Sequence, residues 1–307
     1  MDARYTNRLI DGFFVEEAVD TRVDTTIYRA VQESVKRFVS FKVTPLPPDT
    51  AERALFLDEF NSQIQHIIGL EYAHLLPLYA SGQIGDEAVY IVSRMLPGTL
   101  DALLRNGGVP LATALPIMQQ LGTAVSFLHR SHFVHGSISP RVVYVAGDNQ
   151  VYLNDLELAR VVRKAPSLDY LQHILGSLHY APPEQIRLDA LDLRSDVYSF
   201  GATLYDLVTG EPPFRMAVTP EALLDVKLAN TLRPPRTFNA DVSPKLDALI
   251  LRALRANPDE RFESAQEMAH AIDALHDHSA QVLTPPPSHP LTPLLTRLRR
   301  WLRRLYQ

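Results

Sequence analysis

Two early stretches, 26–31 and 37–43, alternate apolar and polar positions and are rich in β-branched and aromatic residues. That period of two predicts two half-buried strands. Pro45, Pro47 and Pro48 end the pattern. Over 51–69 the period lengthens, with Ala54, Leu57, Ile64, Ile67 and Ile68 at roughly helical spacing. The apolar runs 75–79 and 88–92 predict two further strands, closed by Pro97-Gly98. From about residue 99 the character turns helical. Residues 111–132 predict a long amphipathic helix, 142–145 and 150–153 two short strands, and 195–209 a largely apolar, buried helix. Three more helices are predicted at 221–228, 244–255 and 264–276. No internal repeat is present. The expected architecture is α+β, a small β-rich half followed by a larger helical half.

The pattern changes again near the end. Residues 278–293 include Pro285, Pro286, Pro287, Pro290 and Pro293, the composition of a semi-rigid extended linker. In 294–307, Leu294, Leu298, Trp301, Leu302 and Leu305 share one helical face. Arg297, Arg299, Arg300, Arg303 and Arg304 surround it, which predicts a basic amphipathic helix. The formal net charge is −5, so the five tail arginines leave −10 on the rest. An acidic body gives no reason to expect nucleic acid. The basic face suggests an anionic membrane surface or a partner groove; the plainer alternative is a solvated face. No cysteine is present, which excludes disulfides and cysteine metal sites and fits a reducing cytosol. The first residues lack a basic-then-apolar leader pattern. No run reaches the ~18 apolar residues of a spanning helix, so surface association is expected rather than anchoring.

Several short motifs carry more specific information. Ser195-Asp-Val-Tyr-Ser-Phe-Gly201 runs on to Thr209-Gly-Glu-Pro-Pro-Phe214; Tyr180-Ala-Pro-Pro-Glu-Gln185 precedes it, and Arg261 sits in Asn257-Pro-Asp-Glu-Arg-Phe262. In the first half, Ile27-Tyr-Arg-Ala30, Val39-Ser-Phe-Lys42, 70–82 and 91–100 stand in matching order. Together these resemble the bacterial Ser/Thr protein kinase domain family. The resemblance implies a bilobal kinase fold over about 8–277, with an N-lobe of about 8–95 and a C-lobe of about 96–277. It makes Lys42 the phosphate-facing strand lysine. It makes Glu184 and Arg261 a buried structural pair, and Asp196 an acceptor for backbone amides of the 135–137 loop. Ser177 falls where an activation-segment threonine often lies, and reads as an ordinary loop serine.

Phosphoryl transfer requires phosphate positioning, metal neutralisation of charge and a group that orients the nucleophile. The positions the family fills for these tasks are largely changed here. The three phosphate-loop glycine positions are Asp20, Arg22 and Thr25. The helical glutamate that pairs the lysine is Gln63; its amide can hydrogen-bond Lys42 but cannot form the ion pair, and Glu59 lies one turn away as a substitute. The catalytic loop reads His135-Gly-Ser-Ile-Ser-Pro-Arg-Val142, so the base position is Ser137, the lysine position Ser139 and the metal-binding asparagine position Val142. A serine has no basic form at neutral pH, and a hard cation needs oxygen ligands that valine lacks. His135 remains as a packing residue. Asp155 keeps the metal-binding aspartate position, although Glu157 replaces the glycine after it. The plainer readings are a solvated strand lysine for Lys42 and a turn cap for Asp155.

The expected function is that of a pseudokinase, a kinase-like domain serving as scaffold or allosteric partner for proteins, among them an active kinase. ATP is the cofactor implied, held with weak or no Mg²⁺; Ser40 and Ser93 are small enough to admit a purine. One alternative is a residual transferase using Lys42 and Asp155. Another is a peripheral membrane adaptor acting through Arg297, Arg300, Trp301 and Arg304. A cytoplasmic location, with the tail at the inner membrane face, is expected. Because Trp301 is the sole tryptophan, its emission reports the tail alone. The expected outcome on adding anionic vesicles is a blue shift; unchanged emission would remove the membrane reading.

Overall fold

The structure is a computed structural model that describes residues 4–21, 25–68, 72–105, 107–146, 150–154 and 175–279. The described residues form two compact units, one ending at Leu96 and one beginning at Pro97.

The first unit is built on a six-stranded antiparallel sheet. Its strands are β1 (Arg8–Ile10), β2 (Phe13–Thr21), β3 (Thr26–Gln32), β4 (Arg37–Pro45), β5 (Leu78–Ile84) and β6 (Ala88–Arg94), in the order β1-β2-β3-β4-β6-β5. The interior strand β6 is buried on both faces. Ala88, Tyr90 and Val92 join Val15, Tyr28, Val39 and Phe41 in one core, while Val89 and Ile91 join Phe60 and Ile64 in another. Phe60 and Ile64 belong to helix α1 (Thr50–Ile67), whose first turn is capped by Asp49 accepting from the amides of Ala51 and Glu52, both at 2.9 Å.

The alternation at 26–31 and 37–43 matches β3 and β4, but β1 and β2 were not expected. The local signal was Asp11-Gly12, whose φ values of +46° and +84° make the tight two-residue turn between them. Register shifts between Val15 and Glu17 and between Ala18 and Asp20 break β2's alternation, which is why its pattern does not stand out. The strand expected at 75–79 starts at Leu78 and extends to Ile84. Leu75 and Leu76 are buried ahead of it, and Pro77 has no N–H to pair. Gly82 lies within β5 because a side chain there would meet the Tyr90 ring at 2.6 Å. On α1 the buried face is Phe60, Gln63, Ile64 and Ile67; Ala54 and Ile68, expected inward, face solvent.

The second unit is helical: α2 (Leu100–Leu104), α3 (Leu111–Arg130), α4 (Leu175–Leu178), α5 (Pro183–Ile186), α6 (Leu193–Thr209), α7 (Pro220–Leu228), α8 (Pro244–Ala253) and α9 (Ala265–Ser279). A small hairpin, β7 (Val143–Val145) and β8 (Val151–Leu153), sits between α3 and α4 in sequence. Helix α6 is buried from Ser195 to Val208 and forms the centre, packed by α3, α8 and α9. It begins with a capping box of Asp192 and Ser195 and ends at Gly210, φ +78°. Helix α3 is long and apolar enough to cross a membrane by length and composition, contrary to the expectation that no segment would be. Half of that stretch is buried in this unit, so it serves as a core helix.

Gly201 brings α6 against α8, since a side chain on it would lie 2.6 Å from the Ala253 methyl. Gly201→Val is expected to cost about 1–3 kcal/mol through forced separation of the two helices, measured by urea unfolding. An unchanged midpoint would show that the contact yields freely.

Candidate functional site

Lys42 lies on β4 between Ile27 of β3 and Ile91 of β6, and only 5% of it is exposed. An inward position on a central strand removes the reading of Lys42 as a solvated strand lysine. Ser40 and Ser93 face each other on the same pair of strands. Gln63, on the buried side of α1, donates through Nε2 to Glu59 at 3.1 Å, and its buried Oε1 has no hydrogen-bond partner. The amide is thus turned along its own helix and does not accept from Lys42. Asp20 is the penultimate residue of β2 and is exposed, while Thr25, just before β3, is buried and shares a 3.2 Å hydrogen bond with Thr44. Arg22 lies outside the described residues, as do Asp155, Glu157 and the tail with Arg297, Arg300, Trp301 and Arg304.

The 133–142 loop of the helical unit is organised around Asp196 in the first turns of α6. Asp196 has no solvent exposure. Its carboxylate accepts from the amides of His135 (2.8 Å) and Gly136 (2.6 Å) and from His129 Nε2 (3.0 Å). Charge-assisted bonds of this kind offset the cost of burying the charge. Gly136 has φ +67°, a conformation that glycine adopts freely, and its carbonyl accepts from Gln185 Nε2 at 2.9 Å.

His135 is completely buried. Its Nδ1 accepts from the Ser137 amide at 3.2 Å, which places the ring proton on Nε2, and Nε2 donates to the Asn154 carbonyl at 2.9 Å. The Ser137 hydroxyl also lies 3.2 Å from Nδ1, turned inward onto the imidazole. Ser139 and Val142 are both buried. Val142 contributes only its backbone, donating to Ser139 and accepting from the Asn154 amide. The structure therefore brings His135, Ser137, Ser139 and Val142 together in one loop, held by Asp196 of α6. No metal-binding cluster of His, Asp or Glu occurs among the described residues.

Behind the loop, Arg261 and Glu184 form a buried bidentate pair at 2.7 and 2.9 Å. The other Arg261 donors reach the carbonyls of Arg255, Arg194 and Ala256, so all five N–H groups are used. Ser195 Oγ donates to Glu184 at 2.9 Å. Burial alone would push the Glu184 carboxyl up; the hydrogen bond and charge of Arg261 outweigh it and hold the group below its ordinary range.

Two further buried polar groups were not anticipated. Lys227 of α7 is 1% exposed and donates to the carbonyls of Leu178 (2.9 Å), His179 (3.0 Å) and Ala181 (2.5 Å). Burial lowers its pKa well below the usual lysine range. Its signal in the sequence was a lysine one helical turn after the buried Leu223, on an apolar face. Tyr180 donates to Asp206 at 2.5 Å, and burial lifts the Asp206 carboxyl to about 6. No local pattern announces that pair.

The chain matches the protein kinase domain family over residues 24–272. It is 31% identical over 259 residues to the serine/threonine-protein kinase PknB of Mycobacterium leprae, covering 83% of this chain and 40% of that protein. Against PknB of Mycolicibacterium smegmatis it is 31% identical over 250 residues, covering 80% and 40%. The chain thus spans about two fifths of the length of the curated relatives it matches. Among solved structures it resembles the PknI kinase domain of Mycobacterium tuberculosis, with a TM-score of 0.68 at 19% identity over 88% of this chain and 98% of that one. That likeness shows the kinase fold, with a β-sheet lobe and a helical lobe.

The Glu184 pKa is depressed from its ordinary 4.5. Its pairing with Arg261 therefore stabilises fully above that value, and the contribution fades as pH falls through the lowered one. Arg261→Met, which strands a buried carboxylate, is expected to cost about 3–5 kcal/mol at neutral pH and less in acid, where Glu184 takes a proton. Urea melts at pH 7 and below pH 4 measure this; a loss independent of pH would contradict it.

Proposed function

The chain belongs to the protein kinase domain family, and from that premise we propose that it is a pseudokinase, a kinase-fold domain kept for binding after phosphoryl transfer was lost. One observation carries the reading. The Asp196 frame that holds a catalytic loop is complete, while the loop it holds offers Ser137, Ser139 and Val142 where transfer needs a base, a cation and a metal ligand.

The Ser137 hydroxyl is not a base at neutral pH, and here it lies against His135 Nδ1. A positioned base typically contributes ~10²–10⁴-fold, so its loss alone removes most of the rate. Val142 is buried and aliphatic, so the loop does not fit Mg²⁺, which takes oxygen ligands. Gln63 supplies no carboxylate for Lys42. No step of this reading is routed through a metal.

Nucleotide without Mg²⁺ is the small ligand the reading favours, because Lys42 remains as a buried lysine on β4 beside the small residues Ser40 and Ser93. The functional partner is another protein, with an active kinase as the leading class. The basic tail adds contact with an anionic surface at the cytoplasmic face of the membrane.

Thermal unfolding with ATP, with and without Mg²⁺, tests this together with a transfer assay on a protein substrate. ATP at a hundredfold excess over Kd is expected to add ~2.7 kcal/mol of apparent stability, equally with and without the metal. Lys42→Ala should lose the shift. Mg²⁺-dependent transfer above background would overturn the reading.

A further inference from the structure

A groove of about 350 Å³ opens on the helical unit between the end of α6, the α6–α7 loop and the segment after α7. Its floor is aromatic. Tyr205 and Phe238 meet edge to face with ring centres 6.2 Å apart, and Phe214 and Leu232 complete the lining. The loop beside it leaves Met216 85% and Val218 75% exposed. Isolated apolar residues at a surface need no explanation, but an open apolar groove with exposed side chains at its margin does.

The backbone supplies a second observation. Phe214 has φ +56°, a left-handed conformation that is uncommon for a bulky side chain. The turn it makes is closed by the Ala217 amide donating to the Phe214 carbonyl at 2.9 Å. Strain held in place by surrounding bonds points to a retained role for the segment it shapes.

Charge decides the kind of occupant. The one acid lining the groove, Glu211, is paired with Arg215 at 2.6 Å. Arg233 is different. Its guanidinium lies 4.3 Å from the centre of the Phe238 ring, and its backbone carbonyl is held by Tyr205 Oη at 3.1 Å. Among the described residues Arg233 forms no ion pair. A guanidinium held over an aromatic ring keeps N–H groups for two-point recognition of a carboxylate.

We propose that this groove is a docking site for an acidic peptide segment of a protein partner. The segment seats a Leu-, Met- or Phe-sized side chain on Tyr205, Phe214 and Phe238, and sets a neighbouring Asp or Glu against Arg233. Exposed methionine suits such a site because its flexible side chain adapts to different anchors. The proposal rests on the binding half of the pseudokinase reading and not on the loss of transfer.

The test is selection of a random peptide library displayed on phage against the full chain, followed by fluorescence anisotropy with the selected peptides. The expected result is enrichment of Asp or Glu next to Leu, Met or Phe. Affinity should fall ~10-fold or more for Arg233→Glu and for Phe238→Ala. Arg233→Lys should lose part of it, because an ammonium cannot bind two-pronged. Arg233 is exposed, so the Glu variant should keep its melting temperature, which separates loss of the site from loss of the fold. No enrichment, enrichment of basic peptides, or equal binding by Arg233→Glu would overturn the proposal. Detection of phosphoryl transfer would remove the pseudokinase reading and leave the peptide result standing.

Discussion

A carboxylate shut away from water must be met by donors, and Asp196 is met by two backbone amides and an imidazole. Those bonds fix the start of the 133–142 loop relative to α6, the most buried helix of the unit. His135 then ties the loop to Asn154 at the end of β8, and Gln185 ties Gly136 to α5. Losing Asp196 would orphan three buried donors at once, at about 1–3 kcal/mol each. The loop's shape is therefore a property of the fold, separable from the chemistry of the side chains it displays.

The same separation appears further along. Glu184 and Arg261 are satisfied almost entirely by each other and by backbone carbonyls, and Lys227 spends its ammonium on three carbonyls of 178–181. None of these charges is directed at a ligand. They hold the segment before α5 in place, and they are expensive to bury unless every donor is used. A chain that keeps this framework while Ser137 turns inward and Val142 packs into the interior has retained the cost of the architecture.

Much of the fold was legible because it follows from short-range rules. The period of two at 26–31 and 37–43 and the apolar run of α6 carry their own assignments. Elements failed to show where a local rule was broken. The bulges of β2 hide its alternation, and Pro77 displaces the start of β5. Among site residues, Ser137, Ser139 and Val142 could be named from their order in one loop. The turn of Gln63 towards Glu59 and the inward turn of Ser137 could not, since both depend on rotamers set by packing.

The sequence by itself determined the main strands and helices from β3 onward, the kinase family and the residue types that stand along 135–142, because those reside in residue type and spacing. Only the tertiary structure decided which polar groups are buried and what satisfies them. Lys227 looks like any helical lysine until three carbonyls 46–49 residues away close around it. Asp206 meets Tyr180 across 26 residues, and Arg233 is set on Phe238 beside a groove whose walls come from three segments. Hydrogen bonding and desolvation act over a few ångströms in space, whatever the separation along the chain, so these pairings exist only once the backbone has folded.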